Sequence, residues 1–287
     1  MITPVSKTLP LVRPLTREET HIMFDWVKQE GWNPGINDAE TLYQFFPAGL
    51  LGCFIDNQLT GVSAVFNYSP GFAFFGLYII KPEYRGLGYG LAMTRHRLQI
   101  AGQRNIGLDG VMENISKYRH IGFRFAYTTF RFEFRPIITP PTPPQLIANF
   151  EAIPLADLLD YEARLFPASR SSFLKVWLAQ PHTIKAAWLL NNQLQGYGVM
   201  RHCINGYKVG PLFADSPEIA EQLLFYFLSK SQGQRVFLDT PELNEAALRI
   251  GAKLKAKEVF KAARMYTGYI PNLDYQRIYS ITSLETG

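Results

Sequence analysis

Residues 79–90 read Ile79-Ile80-Lys81-Pro82-Glu83-Tyr84-Arg85-Gly86-Leu87-Gly88-Tyr89-Gly90, a β-rich run that breaks into a glycine-spaced turn ahead of a helical segment. Closely spaced glycines let the main chain approach an anion, and a following helix adds unpaired N–H groups and the positive end of its dipole. The chemistry implied is capture of a phosphorylated cofactor. The spacing narrows which one. Gly86, Gly88 and Gly90 run Gly-x-Gly-x-Gly, not the Gly-x-Gly-x-x-Gly of dinucleotide sites, and Leu91 and Ala92 stand where a nucleotide P-loop needs Lys and Ser/Thr. Nicotinamide dinucleotides and nucleoside triphosphates are both disfavoured.

In register, Arg85, Gly88 and Gly90 resemble the Arg/Gln-x-x-Gly-x-Gly/Ala pyrophosphate loop of the GNAT superfamily of acetyl-CoA-dependent N-acetyltransferases. Further on, Tyr118-Arg119-His120-Ile121-Gly122-Phe123 is similar to the Tyr-x-x-x-Gly-Phe segment of that family. The resemblance implies acetyl-CoA as acyl donor, no metal, and a primary amine of a small molecule or peptide as acceptor. It also implies that main-chain groups of Tyr78, Ile79 and Ile80 pair with the pantetheine arm. Those of Arg85, Gly86, Leu87, Gly88, Tyr89 and Gly90 would hold the pyrophosphate, and Tyr118 would protonate the departing thiolate. A half-buried packing tyrosine is the other reading of Tyr118. The chain departs from the pattern in one respect: many members carry an asparagine seven residues before the tyrosine, where Val111 stands here, while Asn114 sits four before it. Asp109, at the end of a predicted strand that faces the cleft, is the candidate general base. Asp239 occupies the matching place in the second half, so a turn- or helix-capping role for both stays open. Glu83, Glu113, His96 and His120 read as solvated groups.

The elements that must position these residues form a mixed α/β order. Strands are predicted at 9–13, 50–56, 59–67, 72–80, 105–111 and 123–135, and helices at 17–30, 38–45, 88–101 and 114–121. This order resembles the GNAT fold from end to end. Ile22, Met23, Trp26 and Val27 share a helical face, and Leu87, Leu91, Leu98 and Ala101 form an apolar stripe on the helix after the loop. Pro136, Pro140, Pro141, Pro143 and Pro144 preclude a helix or a central strand and predict a stiff linker. Beyond it the chain repeats itself. Asp56-Asn57-Gln58-Leu59-Thr60-Gly61 is echoed by Asn191-Asn192-Gln193-Leu194-Gln195-Gly196, each a predicted hairpin. Gly102-Gln103-Arg104 followed by Leu108-Asp109 is echoed by Gly233-Gln234-Arg235 followed by Leu238-Asp239. The expected architecture is therefore an α/β tandem of two similar GNAT domains, each with a mixed sheet: residues 1–135 with the acetyl-CoA loop, a linker at 136–144, and a second copy at 145–287. Opposite the glycine loop the second copy carries one glycine and two prolines between Val209 and Pro217, and opposite Tyr118 it carries Ala247. Prolines cannot donate an N–H to phosphate. That copy reads as degenerate, similar to the C-terminal half of bacterial two-domain acetyltransferases, which the segment Arg264-Met265-Tyr266-Thr267-Gly268 also resembles. It is expected to wall the acceptor site or to pair with the first copy.

Composition fits a folded enzyme. In 287 residues, 47% hydrophobic content supports two cores and argues against disorder. The net charge of +5 is spread over both halves with no dense basic tract, which does not support nucleic-acid binding. Cys53 and Cys203 lie in apolar strand-like segments and read as buried and reduced. Met1–Leu9 lacks the apolar core of a secretory signal and no apolar run reaches bilayer length, so no membrane association and a cytoplasmic location are expected. Trp26, Trp32, Tyr43, Phe45 and Phe46 fall where the fold would border an acceptor pocket, with core packing as the plainer role. Two other functions stay open: a non-catalytic acyl-CoA sensor or scaffold, and a transferase using a different acyl donor.

Overall fold

A computed structural model of the chain describes residues 9–135, 147–148 and 150–287. The linker expected at 136–144 lies outside the described residues. The first half runs β1 (Leu11–Pro14), α1 (Arg17–Gln29), α2 (Asp38–Phe45), β2 (Leu50–Ile55), β3 (Gln58–Asn67), β4 (Phe72–Ile80), α3 (Tyr89–Ala101), β5 (Asn105–Val111), α4 (Ile115–His120) and β6 (Arg124–Phe134). The second half repeats that order: β7 (Ile147–Ala148), α5 (Leu155–Glu162), α6 (Ser171–Leu178), β8 (Ile184–Leu190), β9 (Gln193–His202), β10 (Tyr207–Ala214), α7 (Pro217–Lys230), β11 (Val236–Pro241), α8 (Glu245–Lys253) and β12 (Lys257–Tyr266). A short β13 (Ile278–Ser280) follows. The mixed α/β fold predicted from the sequence is present in both halves.

Local chemistry explains the elements. Thr16 and Glu19 form a reciprocal capping box at the start of α1, and Arg13 holds the same glutamate at 2.7 Å through both carboxylate oxygens. The two echoed hairpins are the same turn. Asp56 and Asn57 have φ of 47° and 62°, Asn191 and Asn192 have 51° and 60°, and paired left-handed residues suit the twist of a two-residue hairpin. Two helical faces differ from expectation. On α1 the buried residues are Thr20, Met23, Phe24 and Val27, while Ile22 is exposed. On α3 the buried residues are Met93, Thr94, Arg97 and Ala101, while Leu87 and Leu91 are exposed near the glycine loop.

All strands join one sheet, in the order β1-β2-β3-β4-β5-β12-β6-β11-β10-β9-β8-β7, with β13 paired to β10. This order reveals an exchange between the halves. β12, the last repeated strand of the second half, lies between β5 and β6 of the first, and β6 in turn pairs with β11 of the second. Each exchanged strand is fixed by an ion pair at an equivalent place. Arg264 on β12 donates to both oxygens of Asp109 on β5 at 2.8 and 2.6 Å, and Arg131 on β6 donates to both oxygens of Asp239 on β11 at 2.6 and 2.8 Å. Both pairs are buried, so removing one partner strands the other charge, at a cost of about 3–5 kcal/mol.

The halves also share a core. Phe173, Leu174 and Trp177 of α6 pack with Leu42 of α2 and with Phe66 and Phe72 of the first half's strands. Arg201 of β9 pairs with Asp38 of α2 and stacks its guanidinium 4.1 Å from the Trp177 ring centroid.

Candidate active site

The site begins where two parallel strands part. β4 and β5 pair from Phe72↔Asn105 to Phe75↔Leu108 and no further. Beyond that point β4 continues against β3, and β5 against β12. The edge of β4 at Tyr78, Ile79 and Ile80 that would face β5 therefore has no strand neighbour, and a V-shaped gap opens. A bulge marks the parting: three steps on β4, from Gly76 to Ile79, oppose two on β3, from Ala64 to Val62. Leu77 within the bulge has φ of 53°, a left-handed value that a non-glycine residue holds only when its surroundings impose it.

The glycine loop lies at the end of β4. Gly86 and Gly88 adopt φ of 77° and 90°, and a Cβ at either would meet no atom within 4 Å. Backbone conformation calls for glycine at these positions, and the space beside them is open. Gly90 is small for another reason: a Cβ there would overlap the Tyr78 hydroxyl. None of the N–H groups from Gly86 to Gly90 has a hydrogen-bond partner among the described residues, and those of Tyr89 and Gly90 open α3. Together they form a cradle for an anion. Arg85 serves the loop with its side chain, donating to the Ile80 carbonyl at 2.8 Å and reaching Glu30 at 3.3 Å.

Gap and loop open into one cavity of about 730 Å³, within the range of small-molecule sites. Tyr118 lines it from α4. Its ring sits on β5, where a Cβ at Gly110 would collide with it, and its hydroxyl has no hydrogen-bond partner among the described residues. Burial raises the pKa of Tyr118 above the ordinary tyrosine value, against an opposing pull from Arg97, so the phenol holds its proton at neutral pH.

Asp109 also borders the cavity, but the base role expected for it is not open. Arg264 takes both carboxylate oxygens, and the side chain is fully buried. Burial works against the Arg264 charge, yet Asp109 beside it outweighs burial and holds the guanidinium well above its ordinary pKa. Asp109 and Asp239 anchor the exchanged strands. Glu83, Glu113 and His120 are exposed, and His96 is half-buried. Of the five aromatic residues near the expected acceptor pocket, Trp32 lines the cavity, whereas Phe45 packs on Phe66, Tyr68 and Phe173 in the shared core.

Two cavity residues had no signal in the sequence. Arg97 faces inward from α3, and Glu285 enters from the far end of the chain. The latter arrives because β13 passes through the second half. There β10 and β11 pair only from Tyr207↔Val236 to Val209↔Leu238, after which β13 fills the gap. The Ser280 hydroxyl accepts from the Asp239 N–H at 3.0 Å and donates to the Val209 carbonyl at 2.8 Å. The second gap is thus closed by the chain itself. The segment continues to β4, where the Glu285 carbonyl lies against Gly76 so closely that any Cβ there would clash. The Glu285 carboxylate stands 3.9 Å from Lys208 Nζ.

Comparison with known proteins agrees with the geometry. The sequence model of the Acetyltransferase (GNAT) family matches residues 16–123, and that of an Acetyltransferase (GNAT) domain matches residues 158–280. The chain is 28% identical over 282 residues to a holothin acyltransferase of Pseudoalteromonas sp. (strain SANK 73390), covering 96% of this chain and 94% of that protein. Among solved structures, a candidate acetyltransferase from Pyrococcus horikoshii has a TM-score of 0.81 at 23% identity, covering 97% of this chain and 96% of that one. A tandem GNAT protein from the clavulanic acid biosynthesis pathway has a TM-score of 0.62 at 12% identity, covering 92% and 100%. These two likenesses concern the fold. No helix among the described residues is long and apolar enough to cross a membrane.

Proposed function

Because the chain belongs to the GNAT superfamily of acyltransferases, with two GNAT domains in tandem, we propose that it is an acetyl-CoA-dependent N-acetyltransferase acting on a primary amine of a small molecule or peptide. The observation that carries the reading is the open gap between β4 and β5, flanked by the unpaired N–H groups of Gly86–Gly90 and the free hydroxyl of Tyr118. Bound acetyl-CoA supplies a thioester carbonyl as electrophile. The loop amides hold its pyrophosphate, and the unpaired edge of β4 at Tyr78, Ile79 and Ile80 takes the pantetheine arm as an added strand. Tyr118, kept neutral by burial, gives its proton to the leaving sulfur.

The amine must lose a proton. Asp109 is committed to Arg264, so we assign that step to Glu285, a residue of the cavity lining whose carboxylate stands 3.9 Å from Lys208 Nζ. Glu285→Gln is expected to leave acetyl-CoA affinity within about twofold and to lower kcat by at least ~10²-fold at neutral pH, the low end for general bases. An unchanged kcat would return the proton to solvent water. A cytoplasmic location, favoured by the two buried, unpaired cysteines Cys53 and Cys203, would suit a reduced CoA pool.

A second reading follows from the relative at 28% identity, which is an acyltransferase acting on holothin. By that likeness this chain is an acyltransferase whose donor is not restricted to acetyl-CoA. One experiment addresses the proposal and this alternative. Calorimetry with acetyl-CoA should give one site per chain, the second gap being filled by β13. Thiol release should then appear with an amine panel, and comparison of acetyl-, succinyl- and long-chain acyl-CoA identifies the donor. Binding without thiol release across all donors and amines would leave a non-catalytic sensor.

A further inference from the structure

Arg97 is a buried cation without an anion. It is 4% exposed, its Nε is buried with no hydrogen-bond partner, and among the described residues none of its nitrogens makes a hydrogen bond. Its guanidinium lies over two rings of β4, 4.1 Å from the centroid of Phe75 and 5.1 Å from that of Tyr78. These residues flank the bulge at Leu77, so Arg97 sits where the gap begins. Every other arginine buried to this degree, namely Arg131, Arg170, Arg201 and Arg264, is paired with a carboxylate. Burial lowers the Arg97 pKa to about 10, which still leaves it charged at neutral pH. The titratable groups that face it are Tyr78 on β4 and Tyr118 on α4, both neutral at that pH. Asp109, across the cavity, is already neutralised by Arg264. An isolated buried guanidinium beside a cavity costs stability unless a ligand supplies the missing negative charge.

We infer that Arg97 is a catalytic residue that supplies the counter-charge for the thiolate of departing CoA, holding it until Tyr118 delivers the proton. The inference rests on the acyl-CoA reading above. When the amine attacks, an N–C bond forms and the C–S bond breaks, and sulfur leaves with the electron pair. The Tyr118 hydroxyl proton passes to that sulfur, the amine gives its proton to Glu285, and solvent returns a proton to the tyrosine and takes one from the glutamate. Between bond cleavage and proton transfer the negative charge rests on sulfur, beside Arg97 and the neutral phenols of Tyr78 and Tyr118 that face it. Arg97 makes that moment less costly and lowers the barrier without itself exchanging a proton.

The test compares CoA with desulfo-CoA, which lacks the thiol, by calorimetry from pH about 7 to about 9, across the ordinary thiol value of ~8.5. If Arg97 favours the thiolate, the bound thiol pKa is depressed. The affinity advantage of CoA over desulfo-CoA then grows with pH in the parent protein, by about tenfold for each unit of depression. Arg97→Met, which keeps packing volume against Phe75 and Tyr78, should abolish the growth, and Arg97→Lys should retain part of it. The parent measurement decides the matter even where a variant fails to fold: a flat ratio across the range overturns the inference. So does an Arg97→Met variant that weakens both ligands equally, which would mark Arg97 as a partner of a pantetheine carbonyl. If the parent binds neither ligand, the acyl-CoA reading fails first.

Discussion

Tyr118→Phe is expected to bind acetyl-CoA as the parent does and to turn over about 10²-fold more slowly, the loss usual for one positioned acid. The substitution removes a hydroxyl that has no hydrogen-bond partner among the described residues, and it leaves the ring on Gly110 and against Phe123. No buried group loses a partner, so the fold should be untouched. The loss should fall on kcat, because the proton is needed only as sulfur departs. The pH profile provides a further check. Because burial raises the Tyr118 pKa, the active, protonated form persists through neutral pH, and activity falls as pH rises through that raised value. The part of the alkaline limb due to Tyr118 should vanish in the phenylalanine variant, leaving that of Arg97, whose pKa burial lowers to about 10. A second route to the same group is Gly110→Ala, whose methyl would push the ring off β5 and lower kcat while the loop stays intact. Full turnover in Tyr118→Phe would reduce the residue to a packing tyrosine.

Gly88→Val should abolish measurable acetyl-CoA binding, weakening it by at least about 10²-fold, equivalent to ~2.7 kcal/mol. Two effects combine. At φ of 90° a β-branched residue is strained, so the turn must rearrange. The space around a Cβ at position 88 is empty of protein, and the loop amides open onto it, so the branched side chain would stand where the anion belongs. Calorimetry measures the loss. Circular dichroism should show the fold kept, since Gly88 is exposed and packs on nothing. Retained affinity would mean that the cofactor bypasses the loop.

The sequence marked the glycine loop, Tyr118 and the order of elements because each depends on local chemistry. Positive φ needs glycine, a two-residue hairpin needs Asn or Asp, and a strand's apolar run is visible within its own residues. The repeat was legible for the same reason, since both copies keep the residues of the same turns. Features set by long-range pairing were not. Nothing local to Lys257–Tyr266 says that the segment inserts beside β5, and the echo of Asp109 in Asp239 pointed to a shared role without naming the partners. The matching arginines Arg131 and Arg264 were the available signal, because each stands at an equivalent place in its copy. Arg97 looked like one more charged residue on a helix. Its isolation shows only when Phe75, Tyr78 and Tyr118 close around it. Glu285 lies beyond both repeats and reaches the cavity through a path that pairing alone defines.

The exchange of β6 and β12 bears on how such a protein can evolve. The second half has its gap stoppered by β13, and Asp215-Ser216-Pro217 leads into α7 where the first half has its glycine loop. It is not free to disappear, because the first half borrows a strand from it and would be left with a raw edge at β5. Interlocking thus makes the second copy a lasting part of the frame around the first copy's gap.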